Sequence, residues 1–404
     1  MITPGLVETL FSAASMTRWN DHARPAQFTE LAKQAHKMTI AWTIARCEED
    51  NGKTVDWVAL VEGGLFEFFQ RVILTDIKPP VFHRMMANHG PKLNQWVLEK
   101  TAPDLSPLSG GVFGRFRRYL EEPGFSAREK HILRAAHYLA TQWEFRMIYA
   151  QNSMLWGIEE TRKEIEDQVN EHLDLSGVKE ILMRQGMADK GVFAFIDLCG
   201  QLRFQVRWAQ IPRVPATSVL GHLLIVASLS FFSALEEGAS PRRLRNDFFG
   251  GLFHDLPEVL TRDIVSPVKR SVGGLEGLIK EYEQEAMENR LLPLLPEKWR
   301  DEIRYLTKDE FSNRARDPLT SNIVSGIDPS DMNRIYNTDD RDPVDGLLID
   351  ACDKLAAMAE ASLSIRFGVR PPALVEGRRN IFDSYRKTEI GSTDFGTLFG
   401  AFMD

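Results

Sequence analysis

The sequence has few of the features that mark secreted or nucleic-acid-binding proteins. Its 404 residues include only three cysteines, Cys47, Cys199 and Cys352, with no Cys-x-x-Cys pair, so neither a disulfide framework nor a thiolate metal site is indicated. The formal net charge of −8 argues against bulk nucleic-acid binding, which requires an excess of basic side chains. A small anionic substrate remains compatible with this charge, because a metal ion and a few arginines reverse the sign locally.

Targeting signals and membrane-length apolar runs are missing as well. The N-terminus has neither the basic start nor the continuous apolar stretch of a signal peptide. The longest apolar stretch, near residues 219–235, is interrupted by Gly221, His222 and several serines, so we expect no membrane span. We therefore expect a cytoplasmic protein.

Strand-like alternation is scarce, whereas apolar residues recur at helical spacing. One example is the series Leu31, Ala35, Met38 and Trp42. This periodicity predicts an all-α protein. A chain of this length, with 43% hydrophobic residues, is long enough for two domains of ordinary size.

The chemistry of the chain is concentrated in residues 250–268. His254 and Asp255 follow an apolar run, and Pro257 predicts a break after which a new helix starts near Glu258. An imidazole beside a carboxylate suits a divalent metal ion. On its own, however, a His-Asp pair is weak support for a metal site.

Two further residues strengthen the case for a metal site. His222 and Asp353 each lie in an apolar helical segment, where a polar side chain needs a partner. Either residue could be an ordinary core group, bonded to a carbonyl or to an arginine. The order His, His-Asp, Asp on separate helices resembles the ligand signature of the HD-domain metallophosphohydrolases.

The local sequence resembles one branch of that superfamily in more detail. HDLPEVLTRDIVSPVK, residues 254–269, is similar to the bacterial 5′-deoxyribonucleotidases, and the Arg207-Trp208 pair precedes the first histidine as it does there. The resemblance covers about residues 200–380. One departure is Gly221-His222-Leu223, where the family usually has Glu-His-Ser; the polar neighbours that could orient the ligand are missing.

The resemblance implies a set of metal ligands and catalytic groups. A divalent transition metal, Mn, Co, Fe, Ni or Zn, with Mg also possible, would be held by His222, His254, Asp255 and Asp353. Glu258 would be the general acid/base beside the attacking water, and Asp255 would share in catalysis as a ligand.

The resemblance also implies the residues that bind the substrate. Arg207 would grip the phosphate, and Lys269 is a weaker candidate for the same role. Trp208 would shape the sugar pocket, and Asp263 would bond the 3′-hydroxyl. The expected substrates are nucleoside 5′-monophosphates, in particular deoxynucleoside 5′-monophosphates. Two alternatives remain: a nucleoside triphosphate or cyclic-dinucleotide hydrolase on the same site, and a catalytically weak nucleotide-binding regulatory protein.

The sequence also shows an internal similarity. Residues 64–81 align without gaps to residues 251–268, and Arg18-Trp19 matches Arg207-Trp208. His36 is matched to His222 by its distance from Glu67, and His137 is matched to Asp353. These matches predict two tandem HD-domain helical bundles, of which the second is catalytic.

The first of the two regions has lost most of the metal signature. Glu67-Phe68 replaces the His-Asp pair and Arg71 replaces Glu258, so only a zinc-like set of His36, Glu67 and His137 could remain there. We expect a degenerate domain at 1–165, a helical linker at 166–192, and a catalytic domain at 193–404 with an insertion near 307–344. The first domain would act as an internal pseudo-dimer partner, and a homo-oligomer remains open.

Overall fold

Helices dominate the computed structural model of the chain, which describes residues 1–187, 190–262, 272–391 and 393–403, and they confirm the prediction of an all-α protein. Strands are confined, within those ranges, to two short antiparallel hairpins. The helices are α1 (Pro4–Ser12), α2 (Glu30–Asp50), α3 (Trp57–Leu74), α4 (Pro79–Leu105), α5 (Val112–Glu121), α6 (Ala127–Asn152), α7 (Ile158–Asn170), α8 (Ser176–Gln185), α9 (Gly191–Gln201), α10 (Val219–Glu236), α11 (Pro241–Phe253), α12 (Glu258–Thr261), α13 (Leu275–Ala286), α14 (Glu297–Thr307), α15 (Pro329–Asp331), α16 (Gly346–Arg366), α17 (Pro372–Tyr385) and α18 (Phe395–Gly400). The strands are β1 (Arg314–Arg316), β2 (Ile323–Ser325), β3 (Glu389–Ile390) and β4 (Thr393–Asp394).

Helices α2 and α10 form the centre of the molecule and pack against each other. Each starts at a hydroxyl N-cap: the Thr29 side chain accepts from the Ala32 amide, and the Ser218 side chain accepts from the Gly221 amide. Helix α10 is long and apolar enough to cross a membrane, but 89% of it is buried inside the protein. It is thus a core helix, surrounded by α2, α11 and α16.

One hydrophobic core runs through both halves of the chain. Trp42 on α2 is fully buried, and its ring lies 5.9 Å from Phe195, 5.8 Å from Phe253 and 5.6 Å from Trp299, all from the C-terminal half. Aromatic contacts of this kind carry much of the energy of a buried interface. The two halves therefore share a core instead of meeting through a thin contact.

The segment predicted as a helical linker, 166–192, holds the end of α7, the whole of α8 and the start of α9. Helix α8 packs closely on α2: a Cβ at Gly177 would lie 2.7 Å from the Ile44 Cα. The segment is thus part of the packed structure. The division into domains at its ends stays a prediction.

The insertion predicted near 307–344 contains the hairpin of β1 and β2, with Ala315 opposite Val324. The Arg314 guanidinium is buried and donates to carbonyls of the chain, including Tyr305 at 2.9 Å and Ser312 at 2.9 Å. These bonds fix the segment against the end of α14. Phe311, at the start of the insertion, lies over the ring of His254 with centroids 5.8 Å apart.

The match of His36 to His222 is wrong. Lys33, not His36, is the fourth residue of α2, as His222 is the fourth residue of α10. His36 was matched to His222 because the two halves differ in length between corresponding helix ends. In the first half, Thr75 ends α3 46 positions after Thr29, the N-cap of α2. In the second half, Arg262 ends α12 44 positions after Ser218, the N-cap of α10.

His36 has a structural role of its own. Its Nε2 lies 3.0 Å from the Ile196 carbonyl oxygen, and its ring packs edge-on against Trp143. The proposed zinc-like set of His36, Glu67 and His137 is therefore not assembled.

Candidate metal centre

The His254-Asp255 pair lies where the sequence places it, at the junction of two helices. Helix α11 ends at Phe253, and Glu258 begins α12 directly after Pro257, as expected for a proline at a helix start. Gly251 lets α11 approach α10 closely, because a Cβ there would lie 2.8 Å from the Ala227 Cα. This close approach brings His254 next to His222.

Four side chains on three segments converge at this junction. Ligand atoms of His222, His254 and Asp255 all lie within 4.8 Å of one another. Asp353 on α16 joins them, with its Oδ1 2.8 Å from His222 Nε2 and 4.0 Å from His254 Nε2. Two imidazoles and two carboxylates with these separations fit one divalent ion at about 2.0–2.2 Å from each donor.

The orientation of His254 is set by a backbone carbonyl. Its Nδ1 donates to the Gly251 oxygen at 2.8 Å, which directs Nε2 towards Asp255 Oδ2 at 3.2 Å. A ring nitrogen fixed in this way leaves the other one available as a ligand. Burial lowers the pKa of His254, but the Asp255 and Asp353 carboxylates more than offset it and raise the pKa to about 9.

The remaining groups show how the charges compensate one another. Burial, followed by the Arg207 charge, lowers the pKa of His222 to about 4, so this imidazole is neutral as a ligand must be. Burial opposes ionisation of Asp255, but the charge of His254 holds its pKa below the usual value. Burial likewise opposes ionisation of Asp353, and the charge of Lys354 holds its pKa well below the usual range.

Arg207 lies between the carboxylates of the centre. Its guanidinium nitrogens are 3.6 Å from Asp255 Oδ2, 3.8 Å from Asp353 Oδ1 and 4.0 Å from Glu360 Oε2. Glu360 is fully buried, accepts from the Arg213 Nε at 2.5 Å and also accepts from the Thr217 hydroxyl. Glu360 was not predicted as a site residue, although a carboxylate two turns after Asp353 on an apolar helix was a usable signal.

Three of the four side chains, His254, Asp255 and Asp353, line a cavity of about 530 Å³, and His222 lies buried behind them. Glu258, with 6% of its surface exposed, lines it together with Arg207. Two lining residues were not anticipated. Lys354 Nζ lies 2.6 Å from Asp353 Oδ2 and 5.2 Å from the centre of the Phe311 ring. Lys354 could have been suspected because it follows Asp353; Phe311 gave no signal, because only folding of the insertion brings it to the site.

Some predicted site residues are not brought to the cavity in the described part of the chain. The Trp208 ring packs with Ala361, Ile365 and Leu374, close to Gly377, and does not line the cavity. Its predicted role at the sugar stays a prediction. Asp263 and Lys269 lie outside the described residues.

Comparisons with known proteins show what this chain is similar to. A family described as "HD domain" matches residues 199–381. A curated protein named 5′-deoxynucleotidase, from Vibrio cholerae serotype O1, is 32% identical over 147 residues, which cover 33% of this chain and 68% of the relative. No solved structure matches the chain.

Proposed function

Because this chain belongs to the HD-domain family and is a metal-dependent phosphohydrolase, we propose that it removes the phosphate from nucleoside 5′-monophosphates, with deoxynucleosides preferred. The observation that carries the proposal is the group of two imidazoles and two carboxylates at a cavity that also contains an arginine and a glutamate. The relative's name, 5′-deoxynucleotidase, supports the substrate class. We also propose that the protein works in the cytoplasm.

The ligand set has a defined chemistry. His222, His254, Asp255 and Asp353 would hold a divalent ion, and mixed nitrogen and oxygen donors suit Mn, Co, Fe, Ni or Zn, with Mg possible. Such an ion, when bound, acidifies a water and polarises a phosphoryl oxygen.

The other side chains supply positioning and proton transfer. Arg207 lines the cavity and offers a planar fork of donors to the phosphate oxygens. Glu258 lines the same cavity from the start of α12, so it can take a proton from the attacking water and return it to the leaving oxygen. In this proposal Glu258 transfers protons and is not a metal ligand.

A second candidate substrate is a nucleoside triphosphate. The cavity rim carries Lys280, Arg304 and Lys308, and further phosphates could reach these cations. A phosphate-release screen over mono-, di- and triphosphates decides between the two substrates, because a monophosphatase releases phosphate from the first class alone.

The experiment that tests the proposal combines metal analysis with this screen. We expect His254→Ala and Asp353→Ala to lose both bound metal and phosphate release. His36→Ala, a buried histidine outside the cluster, should keep both. If His36→Ala abolishes activity in a folded protein while His254→Ala does not, the site assignment fails.

A further inference from the structure

The N-terminal half contains a second cavity, of about 780 Å³, between α3, α4, α5 and α6. We propose that this cavity binds a phosphorylated organic molecule of nucleotide size, without a metal ion and without hydrolysing it. The inference concerns a site distant from His254 and does not depend on the proposed function.

The groups at the cavity exclude a metal centre like that at His254. Lys33, in the helical position that His222 occupies in α10, has its Nζ 2.6 Å from Nδ1 of His137. Phe68, which follows Glu67, is buried and cannot be a ligand. Within the part of the chain that the structure describes, the cluster of metal-ligating side chains is the one at His254. An amine has replaced an imidazole ligand here.

The lining is cationic in a protein whose net charge is −8. Arg71, Lys130 and Arg134 line the cavity against the carboxylates of Glu67 and Glu171. Glu67 is already engaged: it lies 3.1 Å from Lys37 Nζ, and it accepts from the Tyr119 hydroxyl at 2.8 Å. Glu67 therefore does not neutralise Arg134, whereas Arg71 pairs with Glu30 at 3.6 Å.

Arg134 is exposed on α6 and, among the residues that the structure describes, has no ion-pair partner. An arginine that lines a cavity and has no ion-pair partner can offer its planar fork of N–H donors to a phosphate.

A buried amine lies behind the cavity wall. Lys33 is fully buried, and no carboxylate of the described residues lies within 4.0 Å of its Nζ. Burial, followed by the charge of Arg18, lowers the pKa of Lys33 well below its usual value. A buried amine is costly without a counter-charge. An anion bound between Arg71 and His137 would place that counter-charge near Lys33.

The rest of the cavity suits an organic group. Phe82, Met86 and Tyr138 give it apolar and aromatic walls, and its volume lies in the range of about 300–1,000 Å³ that small-molecule pockets have. Gln34 adds one polar contact. Its Nε2 donates to Glu30 Oε1 at 2.6 Å, which leaves its buried Oε1 as an acceptor without a partner among the described residues. A ligand hydroxyl or amino group would satisfy this oxygen.

The cavity has an arginine at the position of the glutamate to which we assign proton transfer in the C-terminal half. Arg71 stands where the C-terminal half has Glu258, because each lies four residues before the residue that ends its helix, Thr75 or Arg262. A guanidinium does not act as a general base, since it stays protonated at any working pH. The cavity is therefore suited to binding, and bound ligand should be recovered unchanged.

The test is calorimetric titration of the full chain, treated with EDTA, with deoxyadenosine 5′-monophosphate, adenosine and inorganic phosphate. We expect saturable binding of the nucleotide, weaker binding of phosphate, and at least about tenfold weaker binding of adenosine, because charged hydrogen bonds to the phosphate are lost. Arg134→Gln should weaken nucleotide binding by about tenfold or more. Arg117→Gln, an exposed arginine outside the cavity, is the matched control and should have no effect.

Three outcomes would overturn the proposal: adenosine binding as tightly as the nucleotide, Arg134→Gln binding like the parent, or binding that requires a divalent metal. Lys130→Gln serves as the second variant if Arg134→Gln does not fold, since Lys130 lines the same cavity. Metal-dependent phosphate release reports on the C-terminal centre alone and should be unchanged in both variants. Failure of the second site is thus distinguishable from failure of the proposed function.

Discussion

The regions around Trp19 and Trp208 share a backbone geometry that bulky residues rarely adopt. Both tryptophans have positive φ, 54° and 53°, and each lies beside a backbone bridge, Thr17 with Thr29 in one half and Val206 with Ser218 in the other. The likeness supports our proposal that the two halves are copies of one domain and form an internal pseudo-dimer.

The same comparison shows where the halves differ. In the C-terminal half, His222 Nε2 meets Asp353 Oδ1 at 2.8 Å, a pair that can hold a metal ion. In the N-terminal half, the corresponding atoms are Lys33 Nζ and His137 Nδ1, at 2.6 Å. Similar arrangements of helices thus carry an imidazole–carboxylate pair in one half and an amine–imidazole pair in the other, and only the first pair suits a metal ion.

The two Arg-Trp pairs show the difference between a structural and a binding arginine. Arg18 donates to Glu30 at 2.8 Å and to Glu144 at 2.9 Å, within a buried network. Arg207 keeps distances of 3.6 Å or more from Asp255 and Asp353 and lines a cavity. We propose that Arg18 stabilises the fold through these ion pairs, whereas Arg207 binds the phosphate.

The largest effect should come from removing the N-terminal half. Residues 190–404 expressed alone would expose the face of α10 that α2 covers, together with the rings of Phe253 and Trp299 that contact Trp42. We expect this fragment to be poorly soluble or to self-associate, because exposed apolar surface of this size favours association. Light scattering after size-exclusion chromatography measures its mass. A monomeric fragment with full activity would refute the pseudo-dimer.

The next effect concerns Glu258, which we propose as the general acid/base. Glu258→Gln should keep the metal but lower kcat by about 10²–10⁴-fold, since a general acid/base contributes that much. Glu276→Gln removes another cavity-lining glutamate, exposed on α13, and should leave the rate nearly unchanged. Phosphate release and metal content are measured for both variants. Loss of metal from Glu258→Gln alone would identify Glu258 as a ligand instead.

The sequence predicted those parts of the site that are local or carried by distinctive residue types. The junction at His254, Pro257 and Glu258 followed from proline chemistry, and the all-α fold followed from periodicity. The register between α2 and α10 was mispredicted, because the span from Thr29 to Thr75 is two residues longer than the span from Ser218 to Arg262. Phe311 was missed because contacts across long loops leave no periodic trace in the sequence.

The arginine comparison can be tested by replacing each residue with methionine. Arg18→Met removes the cation nearest to Glu30 and one of the two that pair with Glu144, and it should lower the free energy of unfolding by about 3 kcal/mol, with little change in the activity of the folded fraction. Arg207→Met should instead reduce kcat/KM by about 10–100-fold, which corresponds to charged hydrogen bonds to the phosphate. Urea unfolding and steady-state kinetics separate the two effects. If both folded variants lose the same fraction of activity, Arg18 and Arg207 do not have the different roles proposed here.

The smallest effect is expected for Lys33→Met. Lys33 occupies the position in α2 that the predicted ligand His222 occupies in α10. Lys33→Met removes a fully buried amine and should raise the free energy of unfolding by about 1 kcal/mol or more at pH 7, because the amine lacks a carboxylate partner among the described residues. Burial lowers the pKa of Lys33 in the folded protein, so the unfolded chain binds the extra proton. The stability of the parent therefore rises with pH towards the usual lysine pKa, and the advantage of Lys33→Met should shrink over that range.

Lys37→Met is the matched control for Lys33→Met, because Lys37 is equally buried on the same helix but lies 3.1 Å from Glu67 Oε2. Its replacement leaves that carboxylate with Tyr119 alone and should lower the free energy of unfolding by about 1 kcal/mol. Urea unfolding between pH 6 and pH 10 compares the two variants. Opposite signs are expected, because one lysine has a carboxylate and the other does not. If Lys33→Met also destabilises the fold at every pH, the amine is a structural partner of His137. The burial of Lys33 then carries no unfavourable free energy that a bound anion could offset.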